Sequence, residues 1–370
     1  MLQKVFKSKY APDYTFFALI IILLFIGLLM VYSASNIWAD YKYADRLFFV
    51  KRQLLFSGAG VVAMIFIMFI PYYAWQKYSR IILISCFILL LVVLIPGVGV
   101  IRGGARSWIG IGAFSIQPSE FMKLGLIIFL ATTLAHKQKY ITSFKKGFLP
   151  LTLLIFTAFG FIMLQPDLGT GLVLVLTCML MIFVAGARYL HFFSLAFIGL
   201  VGLTFLILSA PYRLKRITAF LNPWEDPLGD GFQIIQSLYA IGPGGLMGVG
   251  FGNSLQKYFY LPEPQTDFIF AIIGEELGFI GGSIVICLFV LLFWRGIKIA
   301  LEAPDTFARF MALGIIGMLI IQVMINISVV IGLIPVTGIT LPFLSYGGSS
   351  LTLTLCSVGI LLNISRYTSF

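Results

Sequence analysis

The chain has 370 residues, of which 60% are hydrophobic and only 11% are charged, and its mean hydropathy is +1.04. Soluble domains carry about 25% charged residues, so this composition excludes a soluble globular protein and predicts an all-α integral membrane protein. The formal net charge of +11 at pH 7 would also suit a nucleic-acid-binding protein. The positions of the basic residues decide whether the charge indicates such a partner.

Ten apolar runs are long enough to cross a bilayer as helices, since each span takes roughly 20 apolar residues. The predicted spans are 14–35, 53–70, 81–96, 120–135, 148–164, 169–186, 190–209, 268–293, 310–332 and 342–363. Residues 1–370 are therefore expected to form a single membrane domain with no separate soluble domain. Residues 1–13 are predicted to be a cytoplasmic tail.

The basic residues are distributed unevenly between the two predicted sides. With the N-terminus in the cytoplasm, the inner segments hold fourteen of the 25 Lys and Arg residues, and the short outer loops hold six. This is the positive-inside pattern, and it favours cytoplasmic N- and C-termini. The basic charge thus reflects topology, and no nucleic-acid partner is predicted.

The fourth predicted span begins with a pair of opposite charges. Glu120 and Lys123 lie three residues apart, hence on one helical face, where they can form an ion pair. Two interpretations stay open. The pair can lock two helices together, or it can line a polar cavity at the outer face.

A short outer turn leads into the sixth predicted span and contains Asp167. Aspartate is a preferred helix N-cap, so capping alone would explain this residue. A capping carboxylate can also orient Lys123 or a bound cation. Both interpretations are retained.

The connection 210–267, between the seventh and eighth predicted spans, is a large extracytoplasmic loop rich in Gly, Pro and aromatic residues. Connections of this length are usually functional. Its glycine-rich run 242–252 resembles a phosphate-binding loop. No strand precedes the run and no Lys-Ser/Thr pair follows it, so nucleotide binding is not predicted.

Asp267 is the last residue of this loop, and the strongly apolar eighth predicted span follows it directly. The Thr266-Asp267 pair can cap the eighth span, but Pro262 and Pro264 stiffen the approach and fix where the Asp267 side chain points. A carboxylate at a bilayer edge is costly unless it is paired or used. Its half-apolar setting is expected to raise the pKa of Asp267 toward the range of a general base.

Two further observations concern the predicted outer face. Arginine binds phosphate or diphosphate in a bidentate fork, although single residues often only anchor lipid headgroups. The basic residues on this face are Arg52, Arg102, Arg106, Arg213, Lys215 and Arg216, with Trp108 and Trp224 as interfacial anchors. The only histidines, His136 and His191, are predicted on the cytoplasmic side, which excludes a Ser-His hydrolase or a His-ligated zinc site on the outer face.

Nine segments together resemble the SEDS family of bacterial cell-wall polymerases, which comprises RodA, FtsW and SpoVE proteins. The resemblance covers essentially the whole chain. The chain looks most similar to the sporulation branch of Bacillus-type bacteria. The segments are Lys51-Arg-Gln53, Arg106-Ser-Trp108, Gln117-Pro-Ser-Glu-Phe-Met-Lys123, Gln165-Pro-Asp-Leu-Gly-Thr170, Asp226-Pro-Leu-Gly229, Gln233-Ile-Ile-Gln-Ser237, Tyr260-Leu-Pro-Glu-Pro-Gln-Thr-Asp-Phe-Ile-Phe270, Gly274-Glu-Glu-Leu-Gly278 and Pro342-Phe-Leu-Ser-Tyr-Gly-Gly-Ser349.

The resemblance implies ten transmembrane helices and a peptidoglycan glycosyltransferase that polymerises lipid II outside the bacterial cytoplasmic membrane, in spore cortex synthesis or cell division. It implies that Asp267 is the catalytic aspartate, as general base of an inverting transfer or as the group that positions the acceptor or a metal. The residues implied to bind substrate or line the cavity are Glu120, Lys123, Asp167, Arg52, Gln53, Arg106, Trp108, Arg216, Glu263, Thr266 and Ser345.

The resemblance also implies a divalent cation, Mg²⁺ or Mn²⁺, with Asp267 and Asp167 as candidate ligands, and a class B penicillin-binding protein as partner. Localisation to the septum or to the forespore outer membrane is expected.

Two other functions stay open. The first is a lipid II flippase, which the broken-helix signals near Pro335, Gly338 and Pro342 would suit. The second is a structural scaffold for the transpeptidase.

Overall fold

Long apolar runs in this chain form helices because hydrocarbon offers the backbone no hydrogen-bond partner other than itself. The computed structural model describes residues 10–102, 105–111, 114–208, 220–229 and 231–368. The described residues form eleven α-helices: α1 Tyr14–Tyr43, α2 Phe48–Phe69, α3 Tyr72–Val92, α4 Pro118–Lys137, α5 Leu149–Met163, α6 Leu168–Val184, α7 Tyr189–Leu208, α8 Phe232–Gly244, α9 Ile269–Leu301, α10 Thr306–Val330 and α11 Gly348–Ser365.

Each of the ten predicted spans falls on a helix. Eight helices of the described chain are long and apolar enough to cross a membrane, and α6 is a shorter apolar helix. The protein is thus a mostly helical, multi-pass membrane protein, as predicted, while the number of ten spans and their orientation remain predictions. Several boundaries differ from expectation, including the end of α1 at Tyr43 rather than at residue 35 and the end of α9 at Leu301 rather than at residue 293. Helix α3 begins at Tyr72 rather than at residue 81, and α11 begins at Gly348 rather than at residue 342.

A small sheet between α3 and α4 was not expected from the sequence. It contains the strands β1 Gly99–Arg102, β2 Ala105–Ile111 and β3 Phe114–Ile116 in the antiparallel order β1-β2-β3. In its register Val100 lies opposite Trp108 and Ile109 opposite Ile116. These strands are too short for their alternation to stand out from the apolar spans on either side.

The two ends of the described chain lie on the same side of the bundle. The backbone N–H of Asp13 donates to Ser365 Oγ at 3.0 Å, and Arg295 Nε lies 2.6 Å from Asp13 Oδ2. The start of α1 and the ends of α9 and α11 are therefore held together. This arrangement agrees with the even number of spans predicted from the sequence.

Helix α9 is broken near its start, and the glycine-rich run 242–252 fills the break. Gly278 has φ +66°, which ends the helical path there. The N–H groups of Phe279 and Ile280 donate instead to Gly245 and Leu246 carbonyls, at 2.9 and 3.1 Å. The glycine run therefore has a structural role that replaces hydrogen bonds lost from the helix.

The same break is paired from its other side as well. The carbonyls of Glu275 and Glu276 accept from Val249 N and Gly250 N at 2.9 and 3.1 Å. At Gly248, whose φ is +79°, a Cβ atom would lie 2.1 Å from the Glu276 carbonyl oxygen. Only glycine lets the two backbones approach this closely.

The side chains of Glu275 and Glu276 fasten the following segment, residues 252–257. Glu275 accepts from Ser254 Oγ at 2.5 Å and from Leu255 N at 2.7 Å. Glu276 forms an ion pair with Lys257 at 3.3 Å, and both side chains are almost completely buried. These contacts give the two acids a structural role.

Replacing Gly248 with alanine should destabilise the protein, because the added methyl group meets the Glu276 carbonyl and the residue must keep a positive φ. We expect the free energy of unfolding to fall by about 2–4 kcal/mol. Thermal unfolding of the purified chain in detergent measures the change. The matched control is Gly58→Ala in α2, where nothing lies within 4 Å of the new Cβ, and equal stability of the two variants would contradict the packing described.

Candidate functional site

Three helix starts bring acidic residues to one end of the bundle. Glu120 lies in the first turn of α4, Asp167 caps α6, and Asp267 lies two residues before α9. The segment 331–347, between α10 and α11, runs among these starts. A Cβ on Gly169 would lie 2.3 Å from the Thr337 carbonyl oxygen, and one on Gly338 would lie 3.8 Å from Asp267 Oδ2. Segment 331–347 therefore lies against both the start of α6 and Asp267.

Asp167 is fully engaged by the protein. Its Oδ1 accepts from Thr170 N at 3.1 Å, so the predicted N-cap is formed. Its Oδ2 accepts from Gln117 Nε2 at 2.7 Å and from Ser119 Oγ at 3.1 Å. This carboxylate fastens the start of α4 to the start of α6.

Glu120 and Lys123 form the ion pair that their spacing predicts. Lys123 Nζ lies 2.8 Å from Glu120 Oε1, and both side chains are buried. Ser350 Oγ donates to Glu120 Oε2 at 3.3 Å, which joins α4 to α11. The ammonium charge is therefore already neutralised, and the pair supports the helix-locking interpretation.

Asp267 differs from the other two acids. Within the described part of the chain, its carboxylate accepts no hydrogen bond and forms no ion pair. Its backbone is fixed, because Asn326 Nδ2 donates to the Asp267 carbonyl and to the Ile339 carbonyl, each at 2.7 Å. The structure thus holds the main chain of Asp267 firmly, while its side chain has no partner among the described residues.

The surroundings of Asp267 alter its ionisation. Burial among protein atoms raises the pKa of Asp267 to about 6, and the nearby negative charge of Glu263 adds to the rise. The side chain nevertheless keeps partial access to solvent. A carboxylate with this pKa is ionised at neutral pH and binds a proton more tightly than an ordinary aspartate does.

Glu263 and Thr266 shape the turn that carries Asp267. Glu263 adopts φ +44°, a strained value for a residue with a side chain. Its carbonyl accepts from Thr266 N at 3.0 Å and from Thr266 Oγ1 at 2.8 Å. The Thr266 hydroxyl therefore serves the turn, while the Glu263 carboxylate is exposed at the edge of the site.

Ser345 and Gln53 connect this turn to its neighbours. Ser345 Oγ donates to the Thr266 carbonyl at 2.6 Å and accepts from Leu341 N at 2.8 Å. Gln53 Nε2 donates to the Ser345 carbonyl at 3.0 Å. Both residues were predicted to bind substrate, and the structure assigns their polar groups to positioning the loop beside Asp267.

The remaining predicted residues lie around this end of the bundle. The Arg52 guanidinium lies 4.0 Å from the centre of the Phe48 ring, and Arg106 and Trp108 project from β2, partly exposed. Within the described chain no ion pair engages Arg52 or Arg106. Arg216, with Arg213 and Lys215, lies outside the described residues.

The residues of the described chain include no group of three or more His, Cys, Asp or Glu side chains that could hold a metal ion. Of the three acids, Asp267 is the one whose carboxylate oxygens have no partner in the described part of the chain. Mg²⁺ is often bound by one or two carboxylates together with substrate phosphates. Asp267 fits such a ligand set, whereas the three donors to Asp167 argue against that residue.

Asn326 was missed by the sequence reasoning, although it fixes Asp267. An amide inside an otherwise apolar span is a signal that could have found it, because such side chains seek partners within the protein. The donors Gln117 and Ser119 lie directly beside Glu120 in the sequence. Their partner, Asp167, is 50 residues away from Gln117 and could not be read from the sequence.

Comparison with known proteins adds independent observations. Residues 13–370 match the FtsW, RodA and SpoVE family, described as cell cycle proteins. The chain is 66% identical over 363 residues to stage V sporulation protein E of Bacillus subtilis, covering 98% of this chain and 99% of the relative. It is 44% identical over 345 residues to the probable peptidoglycan glycosyltransferase FtsW of a Geobacter species, covering 93% and 94% respectively.

A solved structure shows the same architecture. It is a chain from work on the structural coordination of polymerisation and crosslinking by a peptidoglycan synthase complex. Its TM-score with this chain is 0.79 at 32% identity, over 96% of this chain and 98% of that chain. The similarity therefore extends over nearly the whole bundle.

Asp267→Asn should stabilise the protein above about pH 6 and not below about pH 4. The pKa of Asp267 is raised from 3.8 to about 6 in the folded protein, so ionisation disfavours folding, and the neutral amide escapes that penalty. Melting temperatures of the variant and the wild type at about pH 8 and about pH 4 measure the difference. Glu302→Gln, at the exposed far end of α9, is the control and should show no such gain. If Asp267→Asn raised the melting temperature equally at both pH values, the raised pKa of Asp267 would be contradicted.

Proposed function

The chain belongs to the FtsW, RodA and SpoVE family, and from this we propose that it polymerises lipid II into glycan strands at the outer face of the bacterial cytoplasmic membrane. It is a peptidoglycan glycosyltransferase, the activity for which its FtsW relatives are named. The observation that carries the mechanism is the carboxylate of Asp267, which has a raised pKa and no partner within residues 10–102, 105–111, 114–208, 220–229 and 231–368.

Asp267 is suited to accept a proton from the attacking hydroxyl. The acceptor sugar's 4-hydroxyl forms a bond to the anomeric carbon of the donor while the bond from that carbon to the lipid diphosphate breaks. The configuration at the anomeric carbon inverts, and the hydroxyl proton passes to Asp267. A base with a pKa near 6 is strong enough to help and is still ionised at neutral pH.

The other two acids at this end are less suited to the same task. Asp167 accepts hydrogen bonds from three donors, and Glu120 is neutralised by Lys123 at 2.8 Å. Protonating either one would break contacts that hold α4 in place. Both are therefore assigned to supporting the cavity, and Asp267 is the proposed base.

Negative charge develops on the departing diphosphate, and cationic groups are needed beside it. Arg52 and Arg106 suit this role because neither is neutralised by an acid of the described chain. In the alternative role, Asp267 would not be the base but the ligand from this chain to a Mg²⁺ or Mn²⁺ ion, which would supply further neutralisation. Asp267 would then orient the ion and the acceptor.

A class B penicillin-binding protein is the proposed partner. The complex that contains the similar chain combines polymerisation with crosslinking, and crosslinking is the chemistry of a transpeptidase. The sporulation relative supports a place in spore cortex synthesis, in the forespore outer membrane. The FtsW relatives support division at the septum.

A flippase would need helices that change shape during transport. The break in α9 is the feature most suited to that, but four backbone hydrogen bonds to the glycine run fill it, and buried Glu276 and Lys257 fix the adjoining segment. The structure around Asp267 is therefore better suited to chemistry than to alternating access.

Asp267→Asn should lower the rate of glycan formation by about a hundredfold or more, the usual contribution of a general base. Gel analysis of the products made by purified protein from lipid II with Mg²⁺ or Mn²⁺ measures this rate. Asp45→Asn is the matched control, an exposed acid near the end of α1 that pairs with Lys51, and it should polymerise at the wild-type rate. A near-wild-type rate of polymerisation by Asp267→Asn would exclude Asp267 as the general base. A wild type that only moves lipid II across vesicles would support the flippase.

The rate should also depend on pH in a defined direction. Only ionised Asp267 can accept a proton, so kcat/KM should rise tenfold per pH unit below about pH 6 and level off above it. Initial rates at limiting lipid II across this range give the profile. A profile that is flat down to about pH 4 would show that no group with a raised pKa controls the reaction.

A further inference from the structure

A second cavity lies beside the last turns of α1, apart from the Asp267 site. Its volume is about 700 Å³, and it is bounded by α1, the α1–α2 connection and the segment 252–259. The lining residues that matter here are Tyr41, Tyr258, Phe259, Asn36, Asp40 and Arg46. Neither Asp267 nor Asn326, which fixes its backbone, contributes to this lining, whereas Lys257 does.

Aromatic rings form one part of the lining. Tyr41 and Phe259 pack edge to face with ring centres 5.3 Å apart, and Tyr41, Tyr258 and Phe259 are 81%, 54% and 49% exposed. Phe259 adopts φ +68°. A residue with a side chain is strained there by about 1–3 kcal/mol, and such strain is concentrated at functional sites.

Polar groups form the other part. Arg46 Nε lies 3.0 Å from Asp40 Oδ2, and both side chains are largely exposed, so each keeps hydrogen-bonding capacity. Asn36 Oδ1 is buried and has no hydrogen-bond partner within the described chain. A buried amide oxygen in this state is expected to accept a bond from a ligand or water.

These groups suit one class of ligand. A sugar ring has an apolar face of C–H groups that packs on aromatic rings and a rim of hydroxyls that bonds to carboxylate, amide and guanidinium groups. A lipid tail would leave the polar lining unsatisfied. A phosphate would meet the Asp40 carboxylate, which already neutralises Arg46.

We propose that this cavity is a saccharide-binding subsite that holds the glycan strand during elongation, an inference that rests on the proposed function. It lies at the same end of the bundle as Asp267. The rings of Tyr43, Phe49 and Tyr346 are in successive contact at 5.9 and 5.0 Å, and Tyr346 N donates to the Gln265 carbonyl at 2.8 Å. A strand bound beside Tyr41 is thus held near the reaction without occupying it.

Binding of chitotetraose, a short soluble amino-sugar oligomer, tests the subsite directly. The full chain in nanodiscs is titrated with it by ligand-observed NMR. Tyr41→Ala and Phe259→Ala should each weaken binding about tenfold, the effect of losing an aromatic face. The matched control is Tyr78→Ala, an exposed tyrosine in α3 outside the cavity, which should bind like the wild type. Equal affinity for all variants, or no binding by the wild type, overturns the proposal.

Product length gives a second readout. Strands made by Tyr41→Ala should be shorter than wild-type strands, because a strand that is held less tightly is released earlier. Tyr41 is mostly exposed, so folding should survive, and thermal unfolding checks this. Unchanged strand length overturns the proposal. The proposal is also overturned if Tyr41→Ala keeps the wild-type affinity for chitotetraose but loses binding to a penicillin-binding protein or loses its anchoring in the membrane. Absence of polymer from the wild type would contradict only the proposed function, since the binding titration stands without it.

Discussion

Backbone polar groups inside a membrane protein must find partners within the chain, and this requirement shapes the end of the bundle where the acids meet. Helix α9 stops being regular at Gly278, and the carbonyls and N–H groups released there pair with the run 245–250. Gly244 and Gly248 are needed because the two backbones lie too close for a Cβ atom. Once this pairing is made, the path of the chain into the Asp267 turn is largely determined.

Four acids at this end hold the fold, whereas Asp267 does not. Glu275, Glu276, Asp167 and Glu120 all accept hydrogen bonds or pair with a lysine. In each case the protein provides donors for a charge that would otherwise be costly to bury. Asp267 receives none of this compensation within the described chain, and burial raises its pKa accordingly. The same lack of donors that makes it destabilising to the fold makes it available for chemistry.

The sequence predicted the long helices well because each is a long apolar run, and it located the three acids because each precedes or begins such a run. The partners of those acids could not be predicted, since Asp167 meets Gln117 and Glu276 meets Lys257 through the fold alone. Asn326 was missed although it is a polar residue in an apolar helix. The glycine run was recognised as unusual, but only the break at Gly278 explains it.

Strain in the backbone collects around the same site. Phe259, Glu263 and Phe343 have φ values of +68°, +44° and +67° although none is glycine, and each such residue costs about 1–3 kcal/mol. Phe259 and Glu263 persist because residues 257–267, the segment that carries them, are fixed at both ends. The buried pair of Glu276 and Lys257 holds one end, and Asn326 holds the Asp267 backbone at the other. A segment fixed in this way cannot relax when substrate arrives, so Asp267 and the ring of Phe259 are already in position before binding. Such preorganisation lowers the entropy that the substrate complex must lose, which gives a physical reason for keeping strain here rather than removing it.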